Sequence, residues 1–255
     1  MKQFKFLAPV AIGICMTAFL FSCNSGEEKT TTEQSNTDTT MVKAGDTTAA
    51  PAETTTAAEA AKSSKPKNLM TVIAKVENFA KWLPDFESHD SVRNAYGLHK
   101  FSVGRGVKDT NIVLVVMTMD DVAKAKEFAA SADLKARMKK GGVIGAPNIS
   151  YLDMQMQDMT PSSSTRILIR HTVKDWDAWK KIFDADKANR NAAGITDRAL
   201  GYEVGNNHEV ALVCLISDMK KAEDFSRSHE LNRKRDKATV EGPPTIFYYN
   251  QVKKY

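Results

Sequence analysis

Cysteine is scarce in this chain, with Cys15, Cys23 and Cys214 the only three among 255 residues. Two of them fall in the first 23 residues, so the body keeps Cys214 alone and cannot form an internal disulfide. Stability must then come from burial, even in a compartment where disulfides persist. Cys214 lies in the apolar run 210–216, where a buried, inert thiol is expected and a nucleophile would need a basic partner. A strong charge of one sign is also missing. The formal charge is +5, and loss of Lys2 and Lys5 leaves 34 basic against 31 acidic side chains, or +3, which gives no nucleic-acid footprint. The cluster Arg233, Lys234, Arg235 and Lys237 ends a predicted helix, where cations complement the negative dipole end. Metal and catalytic signatures are absent as well. There is no His-Glu-x-x-His, no calcium-loop acidic cluster, no Ser-His-Asp or Cys-His spacing and no dinucleotide fingerprint, so neither metal nor cofactor is expected. The glycine-rich stretches 141–147 and 241–244 precede strands rather than helices, and read as turns instead of phosphate cradles.

Residues 24–67 contain no aromatic side chain and are mostly Thr, Ala, Ser, Glu and Lys. Such a segment buries too little apolar surface to offset its ordering entropy, and reads as a flexible tether. Before it, Lys2 and Lys5 lead an apolar run from Phe6 to Phe21, too short and too early for a membrane-spanning helix and suited to a signal peptide over 1–22. The run ends in Leu20-Phe21-Ser22-Cys23, which resembles the lipobox of bacterial lipoproteins. That resemblance implies cleavage before Cys23, acylation of Cys23, and a lipid anchor holding the protein to a membrane of the cell envelope, on its periplasmic or surface side. An ordinary cleaved signal is the alternative. Glu27 and Glu28 faintly resemble acidic surface-sorting signals.

The rest of the chain is written twice. From Val72 to Tyr151, residue i is answered by residue i+97: Trp82 by Trp179, Phe86 by Phe183, Arg93 by Arg190, Gly97 by Gly194, Phe128 by Phe225, Pro147 by Pro244 and Tyr151 by Tyr248. Each copy opens on an Ile/Val/Leu-rich strand, 68–76 or 166–173. Asn78 and Asp175 then supply N-caps for helices whose apolar stripes hold Trp82 and Trp179, and Gly97 and Gly194 end those helices. A hairpin, a second helix from Asp121 or Asp218, and a last strand, 148–154 or 245–252, complete the order βαββαβ. The fold class is α+β: two fused ferredoxin-like repeats, 68–157 and 165–255, joined by a short linker. Two such units can cover each other by packing sheet against sheet, a pseudo-dimer within one chain.

The pattern Val-x-Asp-Trp-x-x-Trp-x-x-x-Phe-Asp from Val173 to Asp184, followed by Arg190-x-x-x-Gly194, resembles the dimeric α+β barrel superfamily, and most nearly its antibiotic biosynthesis monooxygenase and cyclase-like groups. The resemblance implies an intramolecular barrel over 68–255. It leaves activity open, because that superfamily includes cofactor-free oxygenases, isomerases and haem enzymes.

Several side chains are candidates for binding or chemistry. Arg93 and Arg190 continue the buried helical stripe seven residues after Phe86 and Phe183; each either binds an anion or caps terminal carbonyls with its stem packed. His171, answered by Ala74 in the first copy, alternates with Ile167, Ile169 and Val173 on a face that covers helices or lines the barrel. It is a core histidine, a general base or a haem ligand. His229 is placed late in the second helix of its repeat, while His89 and His99 belong to the first copy. Trp82 and Trp179 read as core, with stacking on a flat ligand as the alternative. Tyr151 and Tyr248 alternate along the final strands and can turn a hydroxyl inward. The expected function is binding of a small apolar or aromatic ligand. Cofactor-independent oxygenation or cyclisation, haem handling and a non-catalytic interaction module are the alternatives.

Overall fold

The computed structural model describes residues 66–163 and 165–255. The expected signal peptide, Cys23 and nearly all of the expected tether lie outside the described residues. Among the described residues, no helix is long and apolar enough to cross a membrane.

Each repeat folds in the expected order. The first runs β1 (Leu69–Val76), α1 (Phe79–Glu87), α2 (Asp90–Ala95), β2 (Leu98–Gly106), β3 (Ile112–Met119), α3 (Val122–Ala130), α4 (Ala132–Lys140) and β4 (Val143–Gln157). The second runs β5 (Thr165–Val173), α5 (Trp176–Ala185), α6 (Lys187–Ala192), β6 (Ile195–Glu203), β7 (Asn206–Ile216), α7 (Met219–Ser226), α8 (His229–Lys237) and β8 (Val240–Lys254). Asn78, Asp121, Asp175 and Asp218 each cap a helix by accepting the backbone N–H three residues on, at 2.7–3.0 Å. Gly97 and Gly194 follow α2 and α6 with φ of 67° and 74°, the left-handed conformation that a side chain resists.

Two expectations are corrected. Each predicted helix is a pair of short helices. Ser131 and Ser228 interrupt the second of them, and each hydroxyl accepts from the N–H three residues on, Leu134 and Leu231, at 3.1 Å. His229 is therefore the first residue of α8 rather than a late one. The stretches read as turns at 141–147 and 241–244 belong largely to β4 and β8, each 15 residues long. Their glycines and prolines sit where the register with β1 and β5 shifts, between Ile73 and Lys75 and between Arg170 and Thr172. A bulge accommodates a proline and a left-handed glycine because local pairing is already broken.

All eight strands form one closed antiparallel barrel in the order β1-β3-β2-β8-β5-β7-β6-β4. The expected sheet-on-sheet packing is thus completed at the edges. Ser102–Gly106 of β2 pairs with the end of β8, and Leu152–Gln157 of β4 pairs with β6. Without these seams β2 and β6 would present open edges, which proteins avoid. Alternation then divides each strand between two interiors. On β1, Met70, Val72, Ala74 and Val76 pack toward the helices, whereas Leu69 and Ile73 belong to clusters inside the barrel.

Candidate functional site

The helix-facing interiors of the two repeats are built on one template and filled differently. In the first, Phe128 of α3 is 2 % exposed and packs against Tyr96, ring centres 5.5 Å apart. The positions answering them are Phe225, which is only partly buried, and Ala193, which has no ring. Met117 is likewise answered by the smaller Cys214. Between β5–β8 and α5–α8 the second repeat holds a cavity of about 210 Å³, walled by groups such as Ile169, Ile182, Phe183, Leu212 and Leu231.

His171 of β5 faces this cavity. Its ring lies 5.2 Å from that of Trp179, and Nε2 is buried with no hydrogen-bond partner among the described residues. Burial first, and then the Arg235 charge, push the imidazole pKa down to about 4, so it is neutral near pH 7. Arg235, which also lines the cavity, stands where the first repeat has Met138; it makes no ion pair among the described residues. Lys234 beside it is already held by Asp186 and Glu230. A buried polar atom left without a partner costs about 1–3 kcal/mol, so the unsatisfied Nε2 is a destabilising feature that a ligand hydroxyl would relieve.

Trp179 is 4 % exposed and stacks on Phe183, with centroids 4.9 Å apart; it is core that also forms cavity wall. Trp82 is 6 % exposed and stacks on Phe86 in the first repeat. Tyr248 lines the cavity, and burial followed by the Glu223 charge raises its phenol above the ordinary value. Tyr151 packs on the helix side of the first repeat, under Lys126. His229 is exposed and does not line the cavity.

The two arginines turn out to be occupied. Arg190 donates from Nε and Nη2 to the two Asp197 oxygens at 2.9 and 2.6 Å, donates from Nη1 to Phe183 O at 2.6 Å, and lies 3.6 Å above the Phe183 ring. A fork with both carboxylate oxygens taken has little left for an external anion. Arg93 donates to Phe86 O and to Asp90, and stacks over Phe86 at 4.2 Å. The carboxylates come from different places: Asp90 and Lys100 in the first repeat are answered by Lys187 and Asp197 in the second. Cys214 is fully buried, with Sγ 3.7 Å from Asp197 Oδ1. Burial and then the Asp197 charge keep its thiol protonated.

Sequence reasoning missed Arg235 and Ala193, whose signal is the departure from Met138 and Tyr96 at constant spacing. Among the described residues, no group of three His, Cys, Asp or Glu is placed to hold a metal ion.

No family model matches the chain, and no curated protein matches it. Solved structures do. An anthrone oxidase-like protein is 12% identical over 76% of this chain and 94% of its own, with a TM-score of 0.51. A ferredoxin-fold protein related to antibiotic biosynthesis monooxygenases, from Listeria monocytogenes, is 6% identical over 73% of this chain and 95% of its own, at 0.39. A heme-binding protein from Thermus thermophilus is 9% identical over 74% and 94%, at 0.45. Two βαββαβ repeats, an eight-stranded closed barrel and helices on its outer face give the chain the dimeric α+β barrel fold, which the likeness to the anthrone oxidase-like protein supports.

Proposed function

We propose that the second repeat binds a small aromatic molecule bearing a hydroxyl group, through the cavity between its sheet and helices. The observation that carries this reading is the buried, unpartnered Nε2 of His171 facing a mostly apolar space. A dry apolar cavity of about 150 Å³ accepts benzene. At about 210 Å³ this one suits one or two fused rings. A phenolic hydroxyl would donate to Nε2, and the Arg235 charge would favour any negative charge on that oxygen. Titration of the full chain with 2-naphthol, followed by tryptophan fluorescence, tests this. Saturable binding that weakens about tenfold in His171→Ala is expected, with 2-methylnaphthalene matching that weaker level in the wild type. Absence of saturable binding would overturn it.

Cofactor-independent oxygenation of such a ligand is the second reading, favoured by a neutral imidazole in an apolar cavity. The likeness in fold to an anthrone oxidase-like protein is in keeping with it. A pKa of about 4 argues the other way, because a general base works best with a pKa near the working pH. Oxygen uptake with anthrone that disappears in His171→Ala would establish this reading. Haem fits the site poorly: about 210 Å³ is below the roughly 300–1,000 Å³ of cavities that hold drug-sized ligands.

Anchoring belongs to the same proposal. Cleavage before Cys23 and its acylation would hold this ligand-binding body at the cell envelope through the segment 24–67. Labelled palmitate incorporated by the wild type and lost in Cys23→Ser is the expected outcome.

A further inference from the structure

The charged side chains on the wall of the second-repeat cavity are Asp186, Arg190, Lys234 and Arg235. Three of them already have partners. Arg190 is forked on Asp197, Lys234 is held between Asp186 and Glu230, and Asp186 also accepts from Asn189 Nδ2 at 2.6 Å. Arg235 makes no ion pair and no hydrogen bond among the described residues.

Arg235 stands in the last turn of α8, where a cation complements the negative end of the helix. That role is already filled. Lys234 and Lys237 share the last turn of α8, and α4 ends in Arg137, Lys139 and Lys140 while carrying Met138 at the position that answers Arg235. What Arg235 adds is a guanidinium on a cavity wall. His171 is the other polar group that this interior gains, where the first repeat has Ala74. Its Nε2 is wholly buried and Arg235 is only partly so, which sets the imidazole deep in the cavity and the guanidinium nearer its opening.

The two groups have different uses. A neutral imidazole can share a hydrogen bond with a hydroxyl, but it cannot balance a carboxylate, and burying a carboxylate without a counter-charge is costly. A guanidinium supplies both the charge and a fork matched to two carboxylate oxygens.

We infer that the ligand of this cavity is an aromatic hydroxy-acid, its carboxylate gripped by Arg235 and its hydroxyl bonded to His171 Nε2. This rests on the reading of the cavity as a site for a hydroxylated aromatic, and narrows the class. The apolar wall, with Ile169, Leu212 and Leu231, takes the rings. A hydroxyl and a carboxylate at opposite ends of a fused pair of rings match polar groups set at different depths.

Calorimetric titration of the full chain with 6-hydroxy-2-naphthoate, 2-naphthol and 2-naphthoate tests this. The hydroxy-acid should bind about tenfold more tightly than either of the others, and added salt should weaken both carboxylates while sparing 2-naphthol. Arg235→Met should remove the advantage over 2-naphthol, and Arg235→Lys, which keeps the charge without the fork, should retain part of it. His171→Ala should remove the advantage over 2-naphthoate. Equal affinity of the wild type for the hydroxy-acid and 2-naphthol would overturn the inference yet leave hydroxyl binding at His171 intact. No saturable binding of any of the three would sink both. If Arg235→Met lowers the urea midpoint but preserves the affinity ratio, Arg235 serves the helix end alone and the inference fails. The wild-type comparison decides even if a variant does not fold.

Discussion

Phe128 and Phe225 occupy equivalent positions 97 residues apart, yet one is sealed in core and the other borders a cavity. Around them Tyr96, Met117, Met138 and Ala74 are answered by Ala193, Cys214, Arg235 and His171. Two changes reduce volume and two introduce polar nitrogen. The first repeat has spent its helix–sheet interior on packing, while the second has given up packing for an opening with a polar anchor. Core filling of this kind stabilises by amounts that a ligand-binding cavity must forgo.

The largest test of this contrast is truncation of the paired phenylalanines. Phe128→Ala should cost about 4 kcal/mol by urea denaturation, and Phe225→Ala about half that, because its surroundings are already loose. Equal losses would erase the distinction. The arginine pairs give the next contrast. Asp197 is 8 % exposed and carries the bidentate partner of Arg190, so Asp197→Asn should cost about 3 kcal/mol by leaving a buried guanidinium uncompensated. Asp90, at 40 %, should cost about 1 kcal/mol when changed to Asn. Burial works against ionisation of Asp90, but hydrogen bonds from Lys100 and Arg93 outweigh it and hold its pKa below the ordinary value. Its contribution is therefore present above the usual carboxylate pKa and fades as acid carries the pH through the lowered one.

Acid should also separate the repeats through His171. An unfolded imidazole takes up its proton near pH 6.5 and the folded one near 4, so the unfolded state binds more protons between those values. Stability contributed by neutral His171 is complete above pH 6.5 and is lost on the way down to pH 4, amounting to about 3 kcal/mol. In His171→Phe that part of the pH dependence should flatten; an unchanged slope would mean the ring is solvated. The smallest effect expected is on binding. Ala193→Tyr, which restores the ring of the first repeat, should weaken 2-naphthol by about tenfold while leaving the urea midpoint near that of the wild type.

Much of the fold was legible because the duplication preserves its punctuation. Asn78 and Asp175, Asp121 and Asp218, and Gly97 and Gly194 recur at one spacing and do what their chemistry predicts. The breaks at Ser131 and Ser228 are masked in the sequence because apolar residues continue beyond them at helical spacing. Bulged strands read as turns because Gly145, Pro147, Gly242 and Pro244 signal irregular backbone without saying whether pairing resumes. At the site, His171 was singled out by its missing counterpart, but alternation assigns a residue to a face without saying what covers that face. Arg166 and Arg198, 8 % and 9 % exposed, are illegible for the same reason: a face interrupted by arginine looks solvent-exposed in one sheet and becomes interior when the sheet closes. Arg93 and Arg190 donate to the carbonyls of Phe86 and Phe183, a contact within one helix end, whereas the carboxylate of Asp197 requires the third dimension.

The linker between β4 and β5 has an evolutionary consequence. Were the halves separate identical subunits, every substitution would appear on both sides of the barrel, and opening one cavity would hollow the other. Covalent fusion lifts that constraint. It allows one half to serve as ballast while its twin is free to specialise.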